Sequence, residues 1–568
     1  MNLVEEQYRQ WQKEVVPSYL IEELQAIEND AKQIEDRFYQ YLQFGTAGMR
    51  GVLGAGTNRM NIYTIHRAAY GLAQYIVENG ETAKTRGVVI AYDTRHFSKE
   101  FAVETAQVLG AFGVKAYVFS EARPTPELSF AVRHLHAYAG VVITASHNPK
   151  QYNGFKVYGE DGAQLTPNGI QMISKYLNSI QNIFDIPTCS WSKLEQNGTV
   201  EWILETIDEA YQAKLKGLKQ RTHIDQTISI VYSPLHGAGL VPVQQGLQAF
   251  GFSNVHIVEQ QAVLDGDFPT VPYPNPEDAA AFTYAKQKGE EIGAQILLAT
   301  DPDADRLGVA VKKDDAYQLL TGNQLGALIL HYILEAKKEN NALPTNGVVL
   351  KTIVTSELGA TIAQEYGVET VNTLTGFKYI AEKIAEYEES KEKTYLFGYE
   401  ESYGYLVQSF VRDKDAVQIA LLVAEMAAYY ATKQLTLLDV LESLFKKYGY
   451  YQEALKSQTF EGISGKKEME ALLKKFRENQ LFDIAGQKVL VVEDYLTQQA
   501  IQRDGAVSAI QLPKENVLKF ILEDQSWVAI RPSGTEPKCK FYFGTVASTR
   551  EQAQQKLQQL QVAFMSNE

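Results

Sequence analysis

Short apolar runs alternate with longer amphipathic stretches through most of the chain. Val88–Tyr92 is an apolar run, and Ser98 reads as the cap of a helix that extends to about Phe112. Lys115–Phe119 is a second run. Thr125 and Pro126 then open another helix, a polar cap followed by proline at the first helical position. Gly140–Thr144 is a third run, and it leads directly into Ala145-Ser146-His147-Asn148-Pro149. Runs this short, separated by helical segments, predict the strands of parallel α/β sheets.

The same order returns twice. Ile228–Tyr232, a helix near Pro242–Phe250, Val255–Val258, a helix near Asp278–Lys288 and Gln295–Ala299 form a second set, which runs into Asp301-Pro302-Asp303-Ala304-Asp305-Arg306. Val348–Lys351, a helix near Ser356–Tyr366, Val368–Val371, a helix near Phe377–Tyr387 and Tyr395–Phe397 form a third, which runs into Gly398-Tyr399-Glu400-Glu401-Ser402. Each β-α-β-α-β set ends in a polar loop beyond the carboxyl end of a strand, where open α/β sheets bind ligands. From about Tyr450 the pattern changes. Shorter strand signals, among them Lys488–Glu493, Trp527–Ile530 and Cys539–Phe543, flank the string Arg531-Pro532-Ser533-Gly534-Thr535-Glu536-Pro537-Lys538. A final helix is expected from Ser548, with Glu551 completing a capping box. This part predicts a smaller α+β domain. Residues 188–197, 265–278 and 447–454 read as linkers.

Length agrees with several domains: 568 residues at about 100–200 per domain give three to five. Hydrophobic residues at 45% and charged residues at 22% exclude a disordered chain or a coiled coil. Lys and Arg number 54 against 69 Asp and Glu, a net charge of −15. Such a chain repels phosphate backbones, so nucleic acid is excluded as a bulk partner and an anionic ligand must sit in a small focused site. Two cysteines, Cys189 and Cys539, fit a reducing cytoplasm. No apolar run approaches the roughly 18 residues of a membrane span, and no membrane association is expected. The longest run, Leu325–Leu334, reads as a core helix. The first residues, MNLVEEQYRQWQKEV, carry acids where a signal peptide has basic and then apolar residues, and read as an amphipathic helix.

Three loops and the C-terminal string carry candidate chemistry. Asp301, Asp303 and Asp305 alternate between two apolar runs, and three hard carboxylates this close repel one another unless a divalent cation such as Mg²⁺ is present. An EF-hand is excluded, because its glycine and glutamate positions hold Arg306 and Lys312. Arg306 can reach a phosphate on the same cation. Ser146 reads either as part of a turn or as a nucleophile and phosphate carrier. The string TASHN lacks the G-x-S-x-G elbow of Ser-His-Asp hydrolases. Lys156 is an acid/base or phosphate-contact candidate. Arg531, Ser533, Gly534 and Thr535 offer a guanidinium, hydroxyls and open backbone, a phosphate cradle in kind. No Walker sequence is present. Glu400, Glu401 and Ser402 suit sugar hydroxyl groups.

Together, TASHNPKQYNGFK (144–156), DPDADR (301–306), GYEES (398–402) and RPSGTEPK (531–538), with GTAGMRG (45–51) and TGFK (375–378), resemble the α-D-phosphohexomutase superfamily of phosphoglucomutases and phosphomannomutases over essentially the whole chain. The resemblance implies an α/β fold of three similar mixed α/β domains plus a C-terminal α+β, TATA-box-binding-protein-like domain, heart-shaped around a central cleft. The bounds expected are 1–205, 206–320, 321–447 and 448–568. It implies an intramolecular phosphotransferase of the isomerase class, in which Ser146 is the phosphoserine and its phosphate binds Mg²⁺ with Asp301, Asp303 and Asp305. Arg50, Lys156 and Arg306 would surround the moving phosphoryl group, with His147 beside it. Gly376 and Lys378 would read the sugar, Glu400 and Ser402 would hold its hydroxyls, and Arg531, Ser533, Gly534, Thr535 and Lys540 would grip the non-reacting phosphate. The partner expected is a sugar phosphate and the activator glucose 1,6-bisphosphate, with a monomer or small homo-oligomer as the working form. GTAGMRG and GYEESYGY are similar to the branch that holds bacterial α-phosphoglucomutases and phosphopentomutases. Glucose 1-phosphate is therefore the expected substrate, with mannose and pentose phosphates as alternatives. Tyr403 departs from the pattern, standing where many members have a small glycine. A sensor that binds sugar phosphates without turnover and a metal-dependent phosphatase are the rival functions.

Overall fold

The three β-α-β-α-β sets fold alike. Val88–Tyr92 lies between Ala139–Ile143 and Ala116–Phe119, parallel to both. Ile230–Ser233 lies in the same way between Ile296–Thr300 and Val255–Ile257, and Gly347–Thr352 between Thr394–Glu400 and Glu369–Thr373. In each set the first strand is central, flanked by the third and the second. All residues of Val88–Tyr92, Ala139–Ile143 and Ile296–Thr300 are buried, which is why these strands appear as unbroken apolar runs. The computed structural model describes residues 3–45, 48–460, 462–478, 483–532 and 538–566.

The sheets are mixed rather than purely parallel. After its polar loop the chain turns back, so that Tyr152–Gly159 pairs antiparallel with Ala139–Ile143 and Leu307–Lys313 pairs antiparallel with Ile296–Thr300. The loops around Ser146 and the three aspartates are thereby held by buried strands at both ends. The C-terminal sheet is antiparallel, in the order Tyr450–Thr459, Lys538–Ala547, Trp527–Pro532, Leu518–Leu522, Gln487–Asp494, Gln499–Gln502, Val507–Ala509. Phe520, Val528, Phe541 and Phe543 form its core with Phe564 of the helix Arg550–Met565.

The chain divides into two compact units, Met1–Gly322 with Ala381–Lys391 and Ser402–Thr436, and Asn323–Ile380 with Glu392–Glu401 and Leu437–Glu568. The first contains the first two repeats and the helix Ala416–Thr432, which is buried along almost its whole length. Gly246 lets that helix approach, since a β-carbon there would meet Leu421 at 2.9 Å. The second unit contains the three strands and the first helix of the third repeat and the C-terminal sheet, joined by Lys519 Nζ donating to Ile353 O at 2.7 Å and by the Thr361–Tyr451 hydroxyl pair at 3.0 Å. Residues 447–454 are therefore no loose linker: they comprise the end of the helix Leu437–Tyr448 and the start of Tyr450–Thr459. Residues 188–197 likewise contain the helix Trp191–Gln196.

Three expected helix caps are not caps. Ser98 is the first residue of Ser98–Ala111, and its hydroxyl donates to Asp93 Oδ1 at 2.7 Å. Thr125 begins Thr125–His134 and sends its hydroxyl to Asp303. The last helix is capped by Thr549, which accepts from Gln552 N, not by Ser548. The N-terminal amphipathic helix is present as Leu3–Glu14, with Tyr8 and Trp11 buried. Among the described residues no helix is long and apolar enough to cross a membrane.

Candidate active site

The turn after Ala139–Ile143 holds Ser146 at φ 53, in the left-handed region that costs a non-glycine residue about 1–3 kcal/mol and persists only where the surroundings enforce it. Thr144 supplies one restraint: its Oγ1 accepts from Ser146 N at 2.7 Å and donates to Asp93 Oδ2 at 2.6 Å. The Ser146 hydroxyl donates to Asp301 Oδ2 at 2.8 Å and lies 3.1 Å from His147 Nδ1. Arg50, on the strand Met49–Val52, donates to Asn148 Oδ1 at 2.9 Å and so reaches the same loop.

The Asp301–Asp305 turn is equally constrained, with Ala304 at φ 47. All three aspartates are buried, and one oxygen from each lies within 4.8 Å of the others. Asp301 Oδ1 accepts from the backbone N–H groups of Asp305 and Arg306, both at 3.1 Å. Asp303 Oδ2 accepts from Lys156 Nζ at 3.0 Å and Thr125 Oγ1 at 2.8 Å. Asp305 Oδ2 faces Lys414 Nζ at 3.1 Å and Lys156 Nζ at 3.8 Å. Among the described residues, the second oxygens of Asp303 and Asp305 are buried without a hydrogen-bond partner. Orphaned hard oxygens in a buried cluster are the donor set a divalent cation takes. Charge crowding is strong: burial and the carboxylates of Asp303 and Asp305 hold the Asp301 carboxyl well above its ordinary range. Burial also pushes Asp303 up, but the Lys156 ammonium and the bonds from Lys156 and Thr125 outweigh it and hold that group low. Arg306 Nη1 donates to Glu277 Oε1 at 3.0 Å and to the Ser402 carbonyl, tying the aspartate loop to the Ser402–Tyr403 turn, where Tyr403 has φ 62.

In the second unit, Glu400 is buried at the end of Thr394–Glu400 and its Oε1 accepts from Gly376 N at 2.8 Å. Gly376 has φ 117, a conformation that only glycine adopts without strain. Lys378 is buried, with Nζ 5.2 Å from the Tyr379 ring. Arg531 and Lys540 stand directly opposite on the antiparallel strands Trp527–Pro532 and Lys538–Ala547, so two cations are paired across these strands. Arg531 Nε donates to Glu515 Oε1 at 3.0 Å. Ser533, Gly534 and Thr535 lie outside the described residues.

The sequence matches the four phosphoglucomutase/phosphomannomutase domains in order: alpha/beta/alpha domain I over residues 41–184, domain II over 209–314, domain III over 321–448 and the C-terminal domain over 467–560. A phosphoglucomutase of Staphylococcus saprophyticus is 38% identical over 534 residues, covering 93% of this chain and 94% of that protein. One of Staphylococcus haemolyticus is 40% identical over 527 residues, covering 92% and 94%. The chain belongs to the phosphoglucomutase/phosphomannomutase family. The fold is also that of a putative phosphomannomutase from Thermus thermophilus, with TM-score 0.66, 21% identity and coverage of 92% of this chain and 98% of that one.

Within this family framework, several residues at the site have no strong sequence signal. Lys414 belongs to the charged run Arg412-Asp413-Lys414-Asp415, which is buried at all four positions. Asp413 Oδ1 accepts from Lys414 Nζ at 3.0 Å, and Asp413 Oδ2 accepts from Tyr158 OH at 2.7 Å. Asp93 follows the buried strand Val88–Tyr92 directly and Arg95 comes two residues later, and polar residues at the carboxyl end of a buried strand are the available clue.

Proposed function

We propose that this chain is a phosphohexomutase that interconverts α-D-glucose 1-phosphate and glucose 6-phosphate through a phosphoserine at Ser146 and a glucose 1,6-bisphosphate intermediate. The observation that carries the reading is the 2.8 Å contact between the Ser146 hydroxyl and Asp301, which joins a strained, buried serine to the aspartate cluster. The relatives named phosphoglucomutase, 38% and 40% identical, support glucose as the sugar. Mg²⁺, held by Asp301, Asp303, Asp305 and the serine phosphate, would supply Lewis-acid neutralisation of the phosphoryl oxygens.

The phosphoryl group of Ser146 passes to the free hydroxyl of a sugar monophosphate. The P–Oγ bond breaks, a P–O bond to the sugar forms, and the hydroxyl proton goes to a base beside the serine, for which His147 is the candidate. The bisphosphate reorients and returns its other phosphate to Ser146. Arg50, Lys156 and Arg306 offset charge on the moving group. Gly376, Lys378, Glu400 and Ser402 read the sugar, while Arg531 and Lys540, with Ser533, Gly534 and Thr535, take the non-reacting phosphate. Glucose 1,6-bisphosphate primes the unphosphorylated enzyme, and the sparse cysteines suit a cytoplasmic setting.

The test is an initial-rate panel of glucose, mannose and ribose 1-phosphates with Mg²⁺ and catalytic glucose 1,6-bisphosphate. Fastest turnover of glucose 1-phosphate without release of inorganic phosphate is expected. Preference for another sugar would reassign the substrate, and stoichiometric phosphate release would make the protein a phosphatase.

A further inference from the structure

Arg95 is fully buried at its side chain and belongs to no element of the aspartate cluster or the sugar loops. Its guanidinium donates to four backbone carbonyls of the Ser146 loop and the start of the strand that follows it: Ser146 O and Asn148 O at 2.5 Å, Pro149 O at 2.8 Å and Tyr152 O at 3.1 Å. It is itself fixed from two sides. Asp93 Oδ2 lies 3.2 Å from its Nε, and Asp93 Oδ1 accepts from its backbone N–H at 3.0 Å. The Phe268 ring, buried in the 265–278 segment, lies 5.0 Å from the guanidinium carbon.

The peptide units on either side of Ser146 are therefore both tethered, the N–H to Thr144 Oγ1 and the C=O to Arg95. A residue with a β-carbon does not rest in the left-handed region unless its flanking peptides are held there. We propose that Arg95 is a positioning residue for phosphoryl transfer: by gathering these carbonyls it holds Ser146 in the left-handed conformation that aims its Oγ at the aspartate cluster. The geometry needs a guanidinium. Five donors in a rigid fork reach four carbonyls while facing Asp93, and an ammonium offers a point charge with three donors.

The inference rests on the reading of Ser146 as the phosphate carrier. The test compares Arg95→Lys with wild type for glucose 1-phosphate turnover, for the rate of Ser146 phosphorylation by glucose 1,6-bisphosphate, and for Mg²⁺ affinity and thermal unfolding. Misplacing the reacting oxygen, even slightly, is expected to lower kcat on the order of 100-fold, to slow serine phosphorylation in parallel, and to leave KM and the Mg²⁺ affinity of the unphosphorylated protein unchanged. Wild-type kcat in the folded variant would overturn the inference, as would a loss confined to KM or to Mg²⁺ affinity. Should Arg95→Lys not fold, Asp93→Asn removes the charge that orients the guanidinium while keeping the side-chain shape. A smaller fall in kcat at unchanged KM is expected there, and wild-type kcat would again overturn the inference. Ser146→Ala run alongside separates the two claims. Turnover by that variant defeats the assignment of Ser146, whereas an inactive Ser146→Ala with a fully active Arg95→Lys defeats the role of Arg95 alone.

Discussion

Lys414 Nζ lies 3.1 Å from Asp305 Oδ2, in a contact that spans more than a hundred residues of chain. With Lys156 on Asp303 it places two ammonium groups against three buried carboxylates. Removing one partner of a buried pair leaves a charge uncompensated, at a cost of about 3–5 kcal/mol. Lys414→Met should therefore destabilise the metal-free protein by that order, and Mg²⁺ should restore part of the loss by taking over the compensation. Urea unfolding with and without Mg²⁺ measures it. Equal losses in both conditions would mean that Lys414 stabilises by packing alone.

The contrast between Lys414 and Asp301 shows where sequence reading reaches its limit. Asp301, Asp303 and Asp305 were legible because three acids between two apolar runs conflict with local preference, and the conflict marks a site. Lys414 carried no such conflict: a lysine among charges reads as surface until the fold buries it beside Asp305. Thr125 reads as a helix cap because its local context, Thr-Pro, is the usual one. Its hydroxyl instead goes to Asp303, 178 residues away, a partner that no local pattern contains. The repeats were legible for the opposite reason, since both faces of their central strands are buried and leave an apolar run in the sequence itself. The antiparallel direction of the return strands was not legible, because nothing in a strand's own composition states which direction its neighbour runs.

Metal removal follows from the orphaned oxygens of Asp303 and Asp305. Chelation should abolish turnover and lower the unfolding temperature, and Mg²⁺ at 100 times its dissociation constant should return about 2.7 kcal/mol of stability. Asp303→Asn removes one anionic donor and should weaken Mg²⁺ binding measured by calorimetry. Normal turnover by metal-free enzyme would reduce the aspartate loop to an acidic turn.

Asp415 gives a stability prediction away from the chemistry. Burial pushes its carboxyl up to about 6, even though Gln418 N and the Tyr211 hydroxyl donate to it. A carboxyl raised from its ordinary value near 3.9 contributes stability below that value and loses it as pH rises through about 6. Between about pH 5 and about pH 8 this group should cost the wild type about 1.4 kcal/mol that Asp415→Asn does not lose. Denaturant unfolding of both proteins across that range checks it. A constant difference between them would contradict the shift.

Arg531 should act through substrate positioning. It stands opposite Lys540, and a guanidinium can hold two phosphate oxygens at once. Arg531→Ala should raise KM for glucose 1-phosphate and also lower kcat, because binding energy at the non-reacting phosphate is used to orient the reacting hydroxyl. Phosphorylation of Ser146 should persist. Steady-state kinetics decide the matter, and wild-type values of both constants would make this strand end structural only.

The most direct test of the account is peptide mass spectrometry of the purified protein after incubation with glucose 1,6-bisphosphate and Mg²⁺. One phosphoryl group is predicted on the peptide that carries Ser146, removed by excess glucose monophosphate and absent from an inactive but folded Ser146→Ala. Turnover of glucose 1-phosphate with no phosphate on Ser146, or with phosphate on another residue, would contradict it.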